Sequence, residues 1–264
     1  MKLRLWWIVL FPVLYITHGL YGQSAGNDLN KHLLEDGGDV EHVKRLLDQG
    51  ANVNTHGQGG STPLSNAARK GEADIVQLLL DRGADVNARL DDGGTALMWA
   101  IRGYSKDADP DDKKAAASVL IEHGADVRLA DNDGITALMW AAEYDLTPVL
   151  TMLLEKGADI EAKDRKGDTA LAWSARDVQT AAVAALLEHG ANVENANNEG
   201  TTPLMHAAAS GNLKTTNLLL NRRAKVNVKD HQGWTALDYA MKDRYLIEDA
   251  KRRIVTFLRA HGAH

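Results

Sequence analysis

The chain has 264 residues, of which 44% are hydrophobic and 25% charged, and it contains no cysteine. This composition is typical of a folded soluble protein, and the lack of cysteine excludes disulfides, thiolate metal sites and cysteine nucleophiles. The net charge of −6 disfavours generic binding to nucleic acid or to anionic lipid.

The N-terminus has the pattern of an export signal. Lys2 and Arg4 precede an apolar stretch at residues 5–16, and small residues follow it. The pattern predicts a signal peptide over residues 1–22 and a short linker over 23–27. An uncleaved membrane anchor is the alternative, although the apolar stretch is short for a membrane helix.

A repeated string marks the next part of the chain. TALMWA occurs at 95–100 and again at 136–141. Its threonine, with a glycine two residues before it, recurs at intervals of 33, 41, 33, 33 and 33 residues, at Thr62, Thr95, Thr136, Thr169, Thr202 and Thr235. The period is therefore 33 residues, and the longer interval contains an insertion of eight residues.

Each unit predicts two short helices followed by an extended finger. The threonine is a good N-cap, and Leu and Ala follow it at the spacing of a helical core face. A turn leads to a second helix with a Val/Leu/Ile stripe, which ends at a glycine. One such unit cannot bury its own apolar face, so the units must stack into an all-α repeat solenoid.

The pattern G-x-T-P-L-x-x-A-A…LL-x-x-G-A-D-V-N resembles the ankyrin repeat. The copies here are TPLSNAA, TALMWAI, TALMWAA, TALAWSA, TPLMHAA and TALDYAM, and the resemblance covers roughly residues 28–263. It implies helix-turn-helix units with β-hairpin-like finger loops. The expected organisation of 28–264 is an N-terminal cap (28–56), five repeats (57–89, 90–130, 131–163, 164–196 and 197–229) and a C-terminal cap (230–264).

Two departures from the family pattern have local consequences. The family's His after the Leu is absent from every copy, so its hydrogen bonds between repeats are replaced or lost. The residues at this position are Ser65, Met98, Met139, Ala172, Met205 and Asp238. Arg223 stands where a glycine at positive φ is expected, which predicts a local cost of about 1 kcal/mol.

The resemblance implies binding of a protein partner through the concave groove and the finger tips. An aromatic column lies four residues after each threonine, at Asn66, Trp99, Trp140, Trp173, His206 and Tyr239. Trp99 lies about 200° around its helix from the core Leu97. It shares that face with Arg102, three residues later. Tyr144 lies four residues after Trp140 and is a further candidate contact. Such rings are typical of binding hot spots, and the alternative is that they fill the seam between repeats.

The finger tips and the insertion are further candidate contacts. Arg165 and Lys166 form a basic tip that is a candidate for partner contact. The alternative is that these side chains are only solvated. The insertion over residues 103–111 is either a dedicated contact or a tolerated excursion. Asp109 and Pro110 within it predict a helix start, so the second helix of this repeat should be about one turn longer than its neighbours.

No catalytic, metal or cofactor site is predicted. The G-x-S-x-G match at 22–26 lies at the end of the export signal, without the strand and helix that a nucleophile elbow needs. Metalloprotease, phosphate-loop and dinucleotide motifs are absent from the sequence. His123 and His189 are two repeats apart, roughly 20 Å at about 10 Å per helix layer, so they cannot share a metal.

The sequence therefore predicts an exported, monomeric, non-catalytic ankyrin-repeat protein that binds a protein partner. The bacterial periplasm is the expected location, with secretion as the alternative. Two other functions stay open: a groove that binds a small molecule or peptide on the Trp column, and a secreted effector aimed at a host.

Overall fold

The computed structural model describes residues 29–32, 39–103, 110–242 and 248–264. Besides a helical segment at 29–32, these residues contain thirteen α-helices, which fall into two compact units, Met1–Ala125 and Asp126–His264. The predicted export signal and linker lie outside the described residues, as do residues 104–109 of the insertion. In the described ranges, no helix has both the length and the apolar character needed to cross a membrane.

The first unit is built from paired helices. Its helices are α1 (Val40–Asp48), α2 (Pro63–Lys70), α3 (Ala73–Asp81), α4 (Ala96–Arg102) and α5 (Pro110–Glu122). Within each repeat α2 packs on α3 and α4 packs on α5. Between repeats α2 packs on α4, whereas α1, α3 and α5 form a second row.

The second unit repeats this arrangement four times. Its helices are α6 (Ala137–Glu143), α7 (Thr147–Glu155), α8 (Ala170–Arg176), α9 (Thr180–Glu188), α10 (Pro203–Ala209), α11 (Leu213–Asn221), α12 (Ala236–Lys242) and α13 (Glu248–Ala260). The helices α6, α8, α10 and α12 pack side by side, and α7, α9, α11 and α13 form the second row. We call the first helices of the repeats, in either unit, the first-helix row. The predicted all-α repeat solenoid is confirmed in each unit.

The threonines start the first-helix row as predicted. In each of the six copies of the motif the Thr hydroxyl accepts a hydrogen bond from the backbone N–H three residues later, at 3.1 to 3.4 Å. This bond satisfies one of the N–H groups that a helix start leaves unpaired. Helices of seven to nine residues are marginal alone, so their stability comes mainly from packing.

The leucine of each repeat motif supplies that packing. These side chains are at most 5% exposed, at Leu64, Leu97, Leu138, Leu171, Leu204 and Leu237. Burial of a leucine stabilises the fold by about 1.5–3 kcal/mol. The small residues three positions later, alanine in five copies and Ser174 in the fourth, are also buried, which lets neighbouring helices approach closely.

The fingers are closed by turns and joined by a hydrogen-bond ladder. Arg165 N donates to Asp133 O at 2.7 Å, Asn198 N to Lys166 O at 2.9 Å, and His231 N to Glu199 O at 2.9 Å. One isolated β-bridge, Ala130–Thr136, is present in the described residues. The fingers are thus hairpin-like through their turn hydrogen bonds rather than through extended strands.

Other residues take over the ties between repeats that the family's His would make. At that position Ser65 and Asp238 cap their own helices instead, because each accepts a hydrogen bond from the backbone N–H of the Thr three residues earlier. Neighbouring repeats are tied through the fingers. The Glu161 carboxylate, for example, accepts hydrogen bonds from Asn192 N and Asn195 Nδ2, both at 2.6 Å.

The helix after the insertion has the predicted length. The helix α5 begins at Pro110 and has 13 residues, whereas α3, α7, α9 and α11 each have nine. Four residues are about one helical turn. The prediction of an extended second helix is therefore confirmed.

Three non-glycine residues in the described part of the chain have positive φ. Arg223 has φ 68°, as predicted from its place in the repeat. Val178 (φ 66°) and Asp145 (φ 56°) were not predicted, although they align by the period with Gly211 (φ 70°). Asp tolerates this conformation, but a β-branched residue such as Val178 is strained by it.

We expect Val178→Gly to stabilise the protein by about 1 kcal/mol, because glycine relieves the strain of a Cβ at positive φ. The greater chain entropy of glycine in the unfolded state offsets part of this gain. The Val178 side chain is half exposed, so little packing is lost. Urea unfolding would measure the change. Val178→Ala keeps the Cβ and is the control. If alanine stabilised the protein as much as glycine, backbone strain would not be the cause.

Candidate interaction surface

Two rings of the aromatic column meet in the second unit. The Trp140 and Trp173 ring centroids lie 5.4 Å apart with the planes at 83°, an edge-to-face contact rather than a parallel stack. Tyr144, one turn after Trp140, stacks on it with centroids 6.1 Å apart and planes at 14°. The two tryptophan positions therefore touch across the repeat boundary, and Tyr144 extends the aromatic patch.

Trp173 is mainly a structural residue. It is 7% exposed, and its Nε1 donates to Asp164 Oδ2 at 3.0 Å. The Asp164 Oδ1 atom accepts from two backbone N–H groups of its own finger. The Arg176 guanidinium carbon lies 5.0 Å from the Trp173 ring centroid. Trp173 therefore fixes its finger to its helix, and Arg176 covers the ring.

Trp140 and Tyr144 differ from Trp173 because both are only partly buried. With Arg176, whose side chain is 39% exposed, they present two stacked rings and a cation toward solvent. We call Trp140, Tyr144, Trp173 and Arg176 the aromatic surface.

His206 takes part in a buried polar cluster. Its Nε2 lies 3.3 Å from Asp168 Oδ1 in the preceding repeat, and Asn197 Nδ2 donates to the same oxygen at 2.8 Å. Arg176 Nη1 is 3.8 Å from Asp168 Oδ2. The Asp168 side chain is only 4% exposed, so these three partners must satisfy it.

The charge on Asp168 is stabilised despite its burial. Burial raises the pKa of this carboxyl, but the His206 hydrogen bond and charge, the Asn197 amide and the Arg176 charge lower it more. The pKa of Asp168 therefore lies below its ordinary value. His206 thus joins two repeats through a carboxylate rather than pointing freely into solvent.

Tyr239 ends the column with a similar tie to its finger. Its hydroxyl donates to Asp230 Oδ2 at 2.8 Å, and its ring meets Trp234 edge to face at 5.7 Å. Lys242 Nζ lies 3.2 Å from the Trp234 ring centroid. Burial is the main reason that the pKa of Tyr239 is raised; Asp230 adds to the increase and a hydrogen bond with Thr201 opposes it.

In the first unit the column has one tryptophan and one asparagine. The guanidinium carbons of Arg69 and Arg102 lie 5.4 and 5.1 Å from the Trp99 ring centroid. The predicted neighbour Arg102 thus contacts Trp99. Asn66 is 2% exposed and donates from Nδ2 to Asn30 Oδ1 at 3.1 Å.

The basic finger tip is exposed and partly paired. The Arg165 side chain is 72% exposed, its Nη1 is 2.8 Å from Asp133 Oδ1, and its Nη2 donates to Asn132 O at 2.8 Å. Lys166 is also exposed. An ion pair this open to solvent stabilises the fold little, so the tip is free to exchange partners.

The structure also assigns roles that the sequence interpretation missed. Asp164 and Asp230 each hold the polar atom of a column ring, and each stands nine residues before that ring. This spacing is visible in the sequence and could have been used. The Asp168 cluster has no such local pattern, because its members lie up to 38 residues apart.

Comparisons with known proteins agree with this architecture. The chain matches the family described as ankyrin repeats (3 copies) over residues 32–109, 90–164, 161–230 and 195–264. A search of curated proteins finds no match. Among solved structures it is similar to the human ASB11 ankyrin repeat domain, with 26% identity and a TM-score of 0.72. That alignment covers 86% of this chain and 96% of the other.

Ankyrin repeats generally mediate protein–protein interaction, and proteins built from them are typically non-catalytic scaffolds. The matched segments together span almost the whole part of the chain in which the 33-residue period occurs. The chain belongs to the ankyrin repeat family.

Proposed function

We propose that the protein is an exported, monomeric, non-catalytic scaffold that binds a partner protein through its first-helix row and finger tips. The observation that carries this proposal is the aromatic surface. Trp140 and Tyr144 are stacked, partly exposed, and held on a helix whose neighbours fix their positions. Pre-positioned aromatic and arginine side chains are the residue types most enriched in binding hot spots.

The difference in burial between the rings supports different roles for them. Trp173 is buried and hydrogen-bonded, so it acts as a fixed edge against which Trp140 packs. Trp140, Tyr144 and Arg176 keep exposed area for a partner. We therefore assign seam packing to Trp173 and propose partner contact for Trp140 and Tyr144.

The finger tips add charge to this surface. Arg165 and Lys166 give one tip a basic character, while Asp133 and Glu199 make the neighbouring tips acidic. A partner segment that contacts all three would have to alternate in charge, with apolar side chains for Trp140 and Tyr144. Such charge patterns contribute more to partner choice and association rate than to affinity.

We expect Trp140→Ala to weaken partner binding about 30-fold or more, the effect of losing a hot spot of about 2 kcal/mol. The free energy of unfolding should fall by only about 1–2 kcal/mol, because the ring is partly exposed. The partner would first be isolated by crosslinking the mature protein in its native envelope. Calorimetric titration and urea unfolding would then measure the two effects.

The matched control is Lys156→Ala, which removes an exposed side chain at the end of α7 in the second row. This variant should bind the partner as the parent protein does. If Trp140→Ala bound with unchanged affinity, or if Lys156→Ala were equally defective, the first-helix row would not be the binding face.

Export to the bacterial periplasm is part of the proposal and rests on the N-terminal sequence pattern. N-terminal sequencing of the protein from the periplasmic fraction should give a chain that starts after residue 22 or close to it. Recovery mainly from the culture medium would favour the secreted-effector alternative. Recovery of the intact N-terminus in the membrane fraction would favour an anchor.

A further inference from the structure

The aromatic column of the first unit leaves a cavity beside Trp99. A space of about 300 Å³ opens between two neighbouring repeats and their fingers. Its walls include Ser61, Asn66, Arg69, Asp92 and Trp99. It lies at the first position of the column, where the repeat carries Asn66 instead of a ring.

The second unit shows what fills the corresponding place elsewhere. There the two neighbouring column positions hold Trp140 and Trp173, which meet edge to face at 5.4 Å. In the first unit Trp99 has the later of two such positions, and the short Asn66 side chain has the earlier one. The cavity therefore lies where one more aromatic ring would pack against Trp99.

The polar groups of the cavity favour a ring that can donate a hydrogen bond. Ser61 lines the cavity, and its Oγ, which protein atoms cover in this rotamer, has no hydrogen-bond partner. A rotation about χ1 can turn this hydroxyl out of its covered position. A buried hydroxyl without a partner is unfavourable, and a ligand that bonds to it gains that interaction.

The remaining walls match a flat, electron-rich ring. The Asp92 side chain is exposed at the finger and accepts from Gly94 N through Oδ1 at 2.8 Å. The Arg69 guanidinium lies over the Trp99 ring, with its Cζ 5.4 Å from the centroid. An incoming ring can contact the edge of Trp99 and the cation of Arg69 together.

We propose that this cavity binds one tryptophan or tyrosine side chain of a partner polypeptide, which supplies the ring that the column lacks at Asn66. The ring N–H or O–H is bonded by Ser61 Oγ or by Asp92. The source of the side chain rests on the proposed protein-binding function. The chemistry of the cavity does not depend on that function, because all the residues that form the cavity belong to the first unit.

The test uses N-acetyl-tryptophanamide and N-acetyl-tyrosinamide as probes of the mature protein. Nuclear magnetic resonance should show saturable shifts of the Trp99 indole N–H and the Gly59 amide. N-acetyl-phenylalaninamide has no ring donor and should bind about tenfold more weakly. Absence of a saturable shift, or equal binding of the phenylalanine probe, would overturn the proposal.

Variants at the cavity provide the second arm of the test. Asn66→Trp should fill the space with its own ring and abolish probe binding, whereas Asn66→Ala leaves the space open and should retain it. Should Asn66→Trp not fold, Ser61→Ala serves instead: it should weaken the tryptophan and tyrosine probes but not the phenylalanine probe. Probe binding that is insensitive to both Asn66→Trp and Ser61→Ala would contradict the assignment.

Failure of this inference can be told from failure of the proposed function. Trp140→Ala lies in the other unit and should leave probe binding unchanged. If the probes bind and no protein partner depends on Trp140, the cavity stands and the proposed function falls. If a partner depends on Trp140 and the probes do not bind, the cavity assignment falls alone.

Discussion

Trp173→Ala is expected to lower the free energy of unfolding by about 3–5 kcal/mol, the range measured when a buried aromatic side chain is truncated. The ring is 7% exposed, meets the Trp140 ring edge to face and lies under the Arg176 guanidinium. Its loss leaves a cavity and removes the N–H that Asp164 Oδ2 accepts. Urea unfolding of the whole protein and of the variant would measure the effect.

Trp173→Phe separates packing from hydrogen bonding at this position. The phenyl ring keeps most of the buried area but cannot donate to Asp164, so a loss of about 1–2 kcal/mol is expected. A cost below about 1 kcal/mol for Trp173→Ala would show that the ring is not a structural support. Trp173 would then have to be treated as a contact residue like Trp140.

Asp168→Ala is expected to destabilise the protein by about 2–4 kcal/mol. It removes the acceptor shared by His206 and Asn197 and the counter-charge of Arg176, all in a site where the carboxylate is 4% exposed. Losing one member of a buried network leaves its partners unsatisfied. Asp168→Asn keeps the shape and one acceptor, so its cost should be smaller.

The contribution of Asp168 should also depend on pH with a fixed sign. Its pKa is lower in the folded protein than in the unfolded chain, where it is about 3.9. The stabilisation is therefore fully present above the unfolded pKa and is lost as the pH falls from about 4 through the folded pKa. The stability difference between the parent protein and Asp168→Asn should shrink as the pH falls below about 4. A difference that grew on acidification would contradict this assignment.

Much of the fold follows from local chemistry that the sequence displays. The threonine caps, the buried leucines, the start of α5 at Pro110 and the positive φ of Arg223 each depend on residue type and place in the period. Such features need no knowledge of distant contacts. The 33-residue period also predicted that the units stack, since one unit cannot bury its apolar face alone.

The different roles of equivalent residues could not be predicted in the same way. Trp140 and Trp173 occupy the same repeat position, yet one is partly exposed and the other buried, because their burial depends on the neighbouring repeat. The His206–Asp168 contact likewise joins two repeats. Val178 was overlooked because its positive φ is set by the shared turn geometry and not by its own preference.

The most direct test of the proposed function is site-specific photocrosslinking in the native envelope. A benzoylphenylalanine introduced at Tyr144 lies on the aromatic surface, and one introduced at Lys156 lies at the end of the second row. We predict a discrete crosslinked protein from position 144, lost when Trp140→Ala is added, and none from position 156. Equal crosslinking from both positions, or a product at 144 that persists without Trp140, would contradict binding through the first-helix row.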